Sequence, residues 1–415
     1  MSPSIAGRSP IWPALLVLAV LVVLPLGRGA ELPIALGALA GLVLLVRGRL
    51  DLASTGSRLA IALFACYWLA ALLSAPLAVE KARTWSTVAV TLRFLPFALF
   101  AVWAAARWRW DAFVAAVAAI VAIWLLDAYV QMATGHSLGG PADAERLSGV
   151  FGAGNLKLGQ TLAALSPFVL LSARARFGRR GLVIAFVLMI APILLSGSRA
   201  AWVSYALVAV LLAWRETRHP LRLAAILVAA CAGIALVGAI ALRGSSGFGE
   251  RIERTLLALR GTEAAVDDAS AGRLSIWRTA VRMTADHPVT GVGVRGFRYA
   301  YPHYASPSDR FVDATSDTGA SHAHQIVLEV LSETGLAGLA LWIAGVVFAV
   351  RAWRRADPAT RERALAPAIA LVAMCFPLNT HLAFYSAWWG LLFWWLLALY
   401  CAAFEPPRGA VARAQ

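Results

Sequence analysis

Charge is scarce in this chain. Asp, Glu, Lys and Arg make up only 14% of its 415 residues, about half the share of an ordinary soluble domain. That poverty excludes a soluble enzyme and a disordered tail. Cysteine is equally sparse. Cys66, Cys231, Cys375 and Cys401 each fall inside an apolar run with no paired spacing, so neither a disulfide framework nor a zinc site is implied. No Asp-x-Asp pair occurs in the polar loops, and the adjacent Asp267 and Asp268 are poorly spaced as two ligands from one turn, so no metal and no other cofactor is expected. There is no long basic run interleaved with aromatics, so the formal net charge of +15 points to arginines facing anionic lipid rather than to nucleic acid. No internal repeat and no mirrored pair of broken spans is visible, as paired-half transporters would show. Only Arg93, Asp127, Glu329 and Glu333 could serve as the mid-membrane ionisable groups of a twelve-span lipid or solute transporter.

Apolar residues are abundant, at 60% of the chain. A helix needs about 20 of them to cross a bilayer, so about twelve spans would account for the whole composition. Apolar runs lie near 11–27, 33–46, 59–78, 87–106, 112–133, 158–173, 181–195, 200–214, 222–242, 326–350, 365–380 and 384–403. The expected fold is an all-α integral membrane protein of about twelve transmembrane helices, with a large helical outer loop between spans 9 and 10. Three regions follow: spans 1–9 over 1–242, the loop over 243–323, and spans 10–12 with a short tail over 324–415. The first run lacks a small-residue cleavage site and reads as an anchor that is kept.

Arginines set the orientation. If the N-terminus is cytoplasmic, inner loops hold Arg47, Arg49 and Arg58, then Arg107 and Arg109, Arg174 to Arg180, Arg215 to Arg222, and Arg351 to Arg363. The positive-inside rule then puts both termini in the cytoplasm. The long loop falls outside, and long loops cross regardless of charge.

The outer loops hold the candidate chemistry. His322 and His324 sit where the long loop re-enters the membrane, and a boundary histidine can accept a proton from a hydroxyl. Two histidines two apart on a helix would point to different sides. Arg199 occupies a short turn between two apolar runs, where it must snorkel or meet an anion. Lys81, Arg83, Arg146 and Lys157 bring further cations to the same face, a set suited to a lipid-linked phosphate or pyrophosphate. From Arg273 a helix is expected, with Leu274, Trp277, Val281 and Thr284 on one face and Ser275, Arg278 and Arg282 on another, ended by Pro288. It is either packed on the rest of the loop or laid along the membrane interface. Gly291, Gly293 and Gly296, with Arg295 between them, read as a tight turn rather than a dinucleotide fingerprint. Glu333 reads as a buried, hydrogen-bonded or protonated residue, and Gly335 and Gly338 as sites of close helix approach.

These residues resemble a family. His324, Gln325, nine residues, Gly335, two residues and Gly338 match the signature of the O-antigen ligases: His, then Asn, Ser or Gln, nine residues, Gly, two residues, then Gly, Thr or Tyr. "SAGRLSIWRTA" and "DHPVTGVGVRGF" are similar to the outer loop of the same superfamily, and "RLSGVFGAGN" to its upstream motif, where Gly-x-Gly-Asn departs from the commoner Asn-Pro-Asn at Asn155. The resemblance covers roughly residues 120–350.

It implies transfer of O-antigen polysaccharide from undecaprenyl pyrophosphate to a hydroxyl of lipid A-core oligosaccharide, at the periplasmic face of a bacterial inner membrane. That transfer would complete lipopolysaccharide. On that reading His324 is the base, and Arg199, Arg273, Lys81 and Arg146 bind the donor pyrophosphate. His322, Arg278 and Arg295 are secondary candidates. The donor is already activated, so ATP is not required; the reaction is expected to be metal-independent and inverting. An O-antigen polymerase and a protein O-oligosaccharyltransferase of the same superfamily share the carrier and differ in the acceptor. The oligomeric state is not legible.

Overall fold

An apolar chain in hydrocarbon must satisfy its backbone groups internally, which leaves the helix as its way across. The computed structural model describes residues 11–141, 146–225, 270–307, 309–313, 315–380 and 383–406, with isolated positions at 228, 231–233, 235–236 and 267. The described regular elements are almost all helical. They run α1 (Trp12–Val22), a 3-10 turn (Leu24–Ala30), α2 (Glu31–Val46), α3 (Thr55–Ser74), α4 (Lys81–Thr91), α5 (Phe94–Ala105), α6 (Trp110–Thr134), α7 (Lys157–Leu195) and α8 (Arg199–Thr217). After the long loop region come α9 (Arg273–Asp286), α10 (Phe297–Tyr304), α11 (Ile326–Arg355), α12 (Pro358–Cys375) and α13 (Ala387–Ala402). A two-residue hairpin, β1 (His136–Ser137) with β2 (Gly140–Pro141), decorates the α6–α7 connection.

Among the described residues, 6 helical segments are long and apolar enough to cross a membrane, against the twelve runs read from the sequence. The difference has physical causes. The run at 87–106 is α4 and α5, interrupted at Leu92 and Arg93, and together they still count as one of the six, whereas 158–173 and 181–195 count as one through α7. α1 and α13 are apolar but short. Much of 222–242, and all of 243–266, lies outside the described residues.

α7 is the opposite case. Its 39 residues would extend about 58 Å, roughly twice the hydrocarbon thickness. Gly178, at φ 68°, interrupts it. Before the interruption, Gln160 bonds Ser204 and Arg174 bonds Glu216, so the first half runs parallel to α8. After it, Arg179 meets Glu216, Tyr205 bonds the Phe186 carbonyl and Trp202 bonds the Ile193 carbonyl, so the second half runs antiparallel. The two halves are a hairpin, matching the separate runs at 158–173 and 181–195.

Helix packing separates two ends. At one, Arg174 and Arg179 share Glu216, Arg215 pairs with Glu362, and Arg363 bonds the Ala403 carbonyl. At the other lie the connections after α3, α6, α12 and the second half of α7, together with α9 and α10. Arg93 belongs to the interior near this second end and pairs with Glu31 at 3.4 Å, so its place in a span has a local partner. Asp127 is spent on the Leu138 amide, at 2.7 Å.

Two cores are distinct. The larger joins the long helices around Tyr67, Phe94, Phe384, Phe393 and Trp394, whose rings meet edge-on or stacked. The smaller gathers Ile276, Ala280, Met283, Val292, Phe297, Tyr301 and Ala323, giving α9 and α10 a core of their own. This corrects the expected face of α9: Ile276, Thr279, Ala280 and Met283 are buried, whereas Val281 is 56% exposed. The helix is thus packed against the rest of its loop.

What fastens the small core to the long helices is a break in α11 at Gly335, φ 65°. The amides of Leu336 and Ala337 donate to the carbonyls of Pro288 and Val289, and the Ser332 and Glu333 carbonyls accept from Val292 and Gly293. Gly335 therefore admits a loop backbone rather than a neighbouring helix. Gly338 faces Thr334 of its own helix and Ala70 of α3. A Cβ on Gly335 would sit 2.3 Å from the Val289 carbonyl at a backbone angle L-residues rarely adopt. Gly335→Ala should lower stability by about 2 kcal/mol or more. Thermal unfolding of the detergent-solubilised protein checks this; an unchanged midpoint would mean that the clasp carries no such constraint.

Candidate functional site

His324 is placed by the start of α11. Gln325 has extended backbone and caps the helix, its Oε1 accepting the Leu328 amide at 2.6 Å. This explains why Asn, Ser or Gln suits that place in the motif: each has a side-chain oxygen for an N-cap. His324 therefore precedes the helix, and it takes a left-handed φ of 53°. The expectation that His322 and His324 point apart fails for the same reason. They are not on a helix, and their rings lie 3.8 Å centroid to centroid. His322 is buried, with Nδ1 at 2.9 Å from the Ser321 hydroxyl.

His324 Nδ1 lies 3.1 Å from the Thr380 carbonyl. A carbonyl can only accept, so this bond puts the proton on Nδ1 and leaves the Nε2 lone pair as the basic site of a neutral ring. Burial, and then the Arg273 charge, push the imidazole down to about 4, with the Thr380 carbonyl pulling the other way. The ring is neutral at pH 7.

Arg273 opens α9 after Gly272, whose φ is 78°, and donates to the Ser270 carbonyl at 3.3 Å. Burial, and next the neighbouring charge of Arg199, lower its guanidinium to about 10, which still leaves it charged at neutral pH. Arg199 is the first residue of α8, after Ser198, whose hydroxyl accepts the Ala201 amide. Arg273 thus lies within electrostatic reach of residues from two distant segments, Arg199 and His324. Arg273 is paired with no carboxylate among the described residues. Such a cluster is electropositive and suits an anion.

The other sequence candidates fall elsewhere. Arg146 is half-buried, and the bond from the Leu147 amide to the Leu195 carbonyl sets it beside the turn that leads to Arg199. Lys81 is exposed at the start of α4, near the 292–294 turn, which holds Val79 and Thr84. Arg278 is exposed on α9. Arg295 serves a different purpose: its amide donates to Glu333 Oε2 at 2.9 Å, and its charge faces Glu329 and Glu333. Glu333 is fully buried, as expected. Asn155 accepts the Lys157 amide and bonds the Phe151 carbonyl, shaping the entry to α7. No motif or spacing signals Thr380 as the histidine's partner, 56 residues away, nor Lys157 over the Trp388 ring at 4.7 Å.

An apolar cavity of about 730 Å³ lies between α3, α8, α11, α12 and α13. Gly338, Tyr67 and Tyr385 line it toward the loop-bearing end, and Trp353 and Arg354 toward the other.

Helices long enough to cross a bilayer, with guanidiniums and a neutral histidine at one end, define a multi-pass membrane protein. Residues 159–343 match the family model described as O-antigen ligase, and this domain supports the chain as a member of the O-antigen ligase/polymerase superfamily. The matched stretch contains Arg199, Arg273, His324, Gln325, Gly335 and Gly338; Lys81 and Arg146 lie outside it. No curated protein matches the chain.

The electrostatics have a sign that can be measured. Removing the Arg273 charge removes a repulsion felt by the imidazolium, so Arg273→Ala should raise the His324 pKa and move its titration to higher pH. Histidine NMR in nanodiscs reads this directly. An unmoved titration, or a lower one, would separate the two residues.

Proposed function

We propose that the protein is an O-antigen ligase. It transfers O-antigen polysaccharide from undecaprenyl pyrophosphate to a lipid A-core hydroxyl at the periplasmic face of the inner membrane, with both termini cytoplasmic. The observation that carries this reading is a neutral His324, protonated on Nδ1, beside the Arg273 guanidinium, which in turn neighbours Arg199.

The acceptor hydroxyl gives its proton to His324 Nε2 as its oxygen attacks the anomeric carbon. The bond from that carbon to the pyrophosphate oxygen breaks, and its electron pair leaves with the diphosphate. Arg199 and Arg273 take up the charge that develops there, lowering the barrier to the extent that they bind the leaving group better than the intact donor. A pyrophosphate placed between Arg273 and His324 also offsets the repulsion that keeps the ring neutral, so the imidazolium gains stability as the reaction needs it. One displacement inverts the anomeric centre. No ATP and no metal enters the scheme. The apolar cavity supports the polyprenyl tail as a neighbour of the site, because its lining offers hydrocarbon along much of α11.

His324→Ala should abolish ligation while the protein remains folded and inserted. Normal lipopolysaccharide laddering in cells carrying it would remove the base assignment. Arg199→Ala should weaken use of the donor, and Arg199→Lys should restore only part of it, since an ammonium cannot make the forked contact; full activity of both would take Arg199 out of the site. The reaction class is tested by reconstitution with purified lipid A-core and carrier-linked glycan, with chelator and without nucleotide. A higher-mass lipopolysaccharide is expected. Elongation of the carrier-linked glycan alone would identify a polymerase instead.

A further inference from the structure

Glu329 is fully buried on the first turns of α11, five residues beyond His324. A carboxylate taken so far from water is costly unless its oxygens are hydrogen-bonded. Its Oε1 accepts the Tyr385 amide at 3.3 Å, and the Phe384 amide also donates to this carboxylate. Both donors belong to the connection between α12 and α13 and are themselves buried. The same connection carries Thr380, whose carbonyl accepts from His324 Nδ1. The start of α11 therefore grips one connection twice, once through the imidazole and once through the carboxylate.

The connection is also tied at its ends. Asn379, next to Thr380, donates to the Met374 carbonyl at 2.9 Å at the close of α12, and Ser386 caps α13 by accepting the Trp389 amide. Neither tie reaches α11. The Tyr385 side chain does, through Thr334, and Glu329 does through the backbone amides, so it sets where the 384–385 backbone stands relative to the helix that bears His324. Without it, the amides of Phe384 and Tyr385 would be buried donors lacking this acceptor, and the connection would have to shift to satisfy them.

We propose that Glu329 is a positioning residue that, through the α12–α13 connection, holds the Thr380 carbonyl where it keeps the His324 proton on Nδ1. The inference rests on the reading of His324 as the base. What the task needs from Glu329 is an acceptor oxygen rather than a negative charge, so glutamine serves and alanine does not. Arg295 would still face Glu333 in the glutamine variant.

The test uses the full chain in nanodiscs with 15N-labelled histidine, in wild type, Glu329→Gln, Glu329→Ala and His324→Ala, the last assigning the signal. In wild type and Glu329→Gln, Nδ1 of His324 should give the protonated, pyrrole-type shift and Nε2 the bare, pyridine-type shift. In Glu329→Ala that pattern should be lost, and kcat for ligation should fall about tenfold or more with KM for the donor unchanged. Glu329→Gln should keep near-native kcat. An unaltered tautomer in Glu329→Ala, or a glutamine variant as impaired as the alanine one, overturns the proposal. If Glu329→Ala does not fold, a wild-type proton found on Nε2 overturns it equally. The two readings fail separately: an active His324→Ala protein discards the base, whereas a tautomer indifferent to Glu329 discards only the positioning role.

Discussion

The structure depends on how an interrupted membrane helix satisfies its backbone. Hydrocarbon offers no hydrogen bonds, so a helix that breaks at Gly335 must find protein partners for the groups it frees. Residues 288–293 supply them, with two carbonyls that accept and two amides that donate. Because α9 and α10 share a core with that turn, the clasp that repairs the helix also fixes the polar region over the bundle. The Glu333 carboxylate tightens it by accepting the Arg295 amide.

That arrangement gives the site its electrostatics. Arg273 begins α9, Arg199 begins α8, and His324 immediately precedes the cap of α11, so all three stand where helices start. Helix N-termini add partial positive charge to the guanidiniums. Among the described residues, Glu329 and Glu333 hold backbone amides and face Arg295, Asp127 holds the Leu138 amide, and Asp267 accepts the Ser275 amide and pairs with Arg310. The result is a concentration of positive charge at one end of a helical bundle whose residues 159–343 match the O-antigen ligase family model.

Much of the helical layout was legible because the apolar runs are long and the turns between them carry Arg, Gly or Pro. The α7 hairpin follows from its arginine-rich centre and Gly178. The face of α9 was misjudged because hydropathy alone favoured Leu274 and Val281, whereas tertiary contacts buried Thr279 along with Ile276 and Met283. The histidine pair was misjudged by assuming that the helix had already begun, when Gln325 starts it one residue later. Arg295 looked like another phosphate ligand because its partners, Glu329 and Glu333, are distant in sequence. Arg199 is legible from its short turn between apolar runs, and Arg273 and His324 from the family motifs, but the reach of Arg273 to both is a tertiary property. Thr380 carried no signal at all, since any residue supplies a carbonyl.

The depressed basicity of His324 has a consequence for what happens between cycles. Burial and Arg273 disfavour the protonated ring. In the proposed mechanism, an imidazolium formed during turnover would be sheltered only while negative charge remained alongside. Departure of that charge would favour passing the proton to water, so the ring could return to its neutral form without another side-chain base.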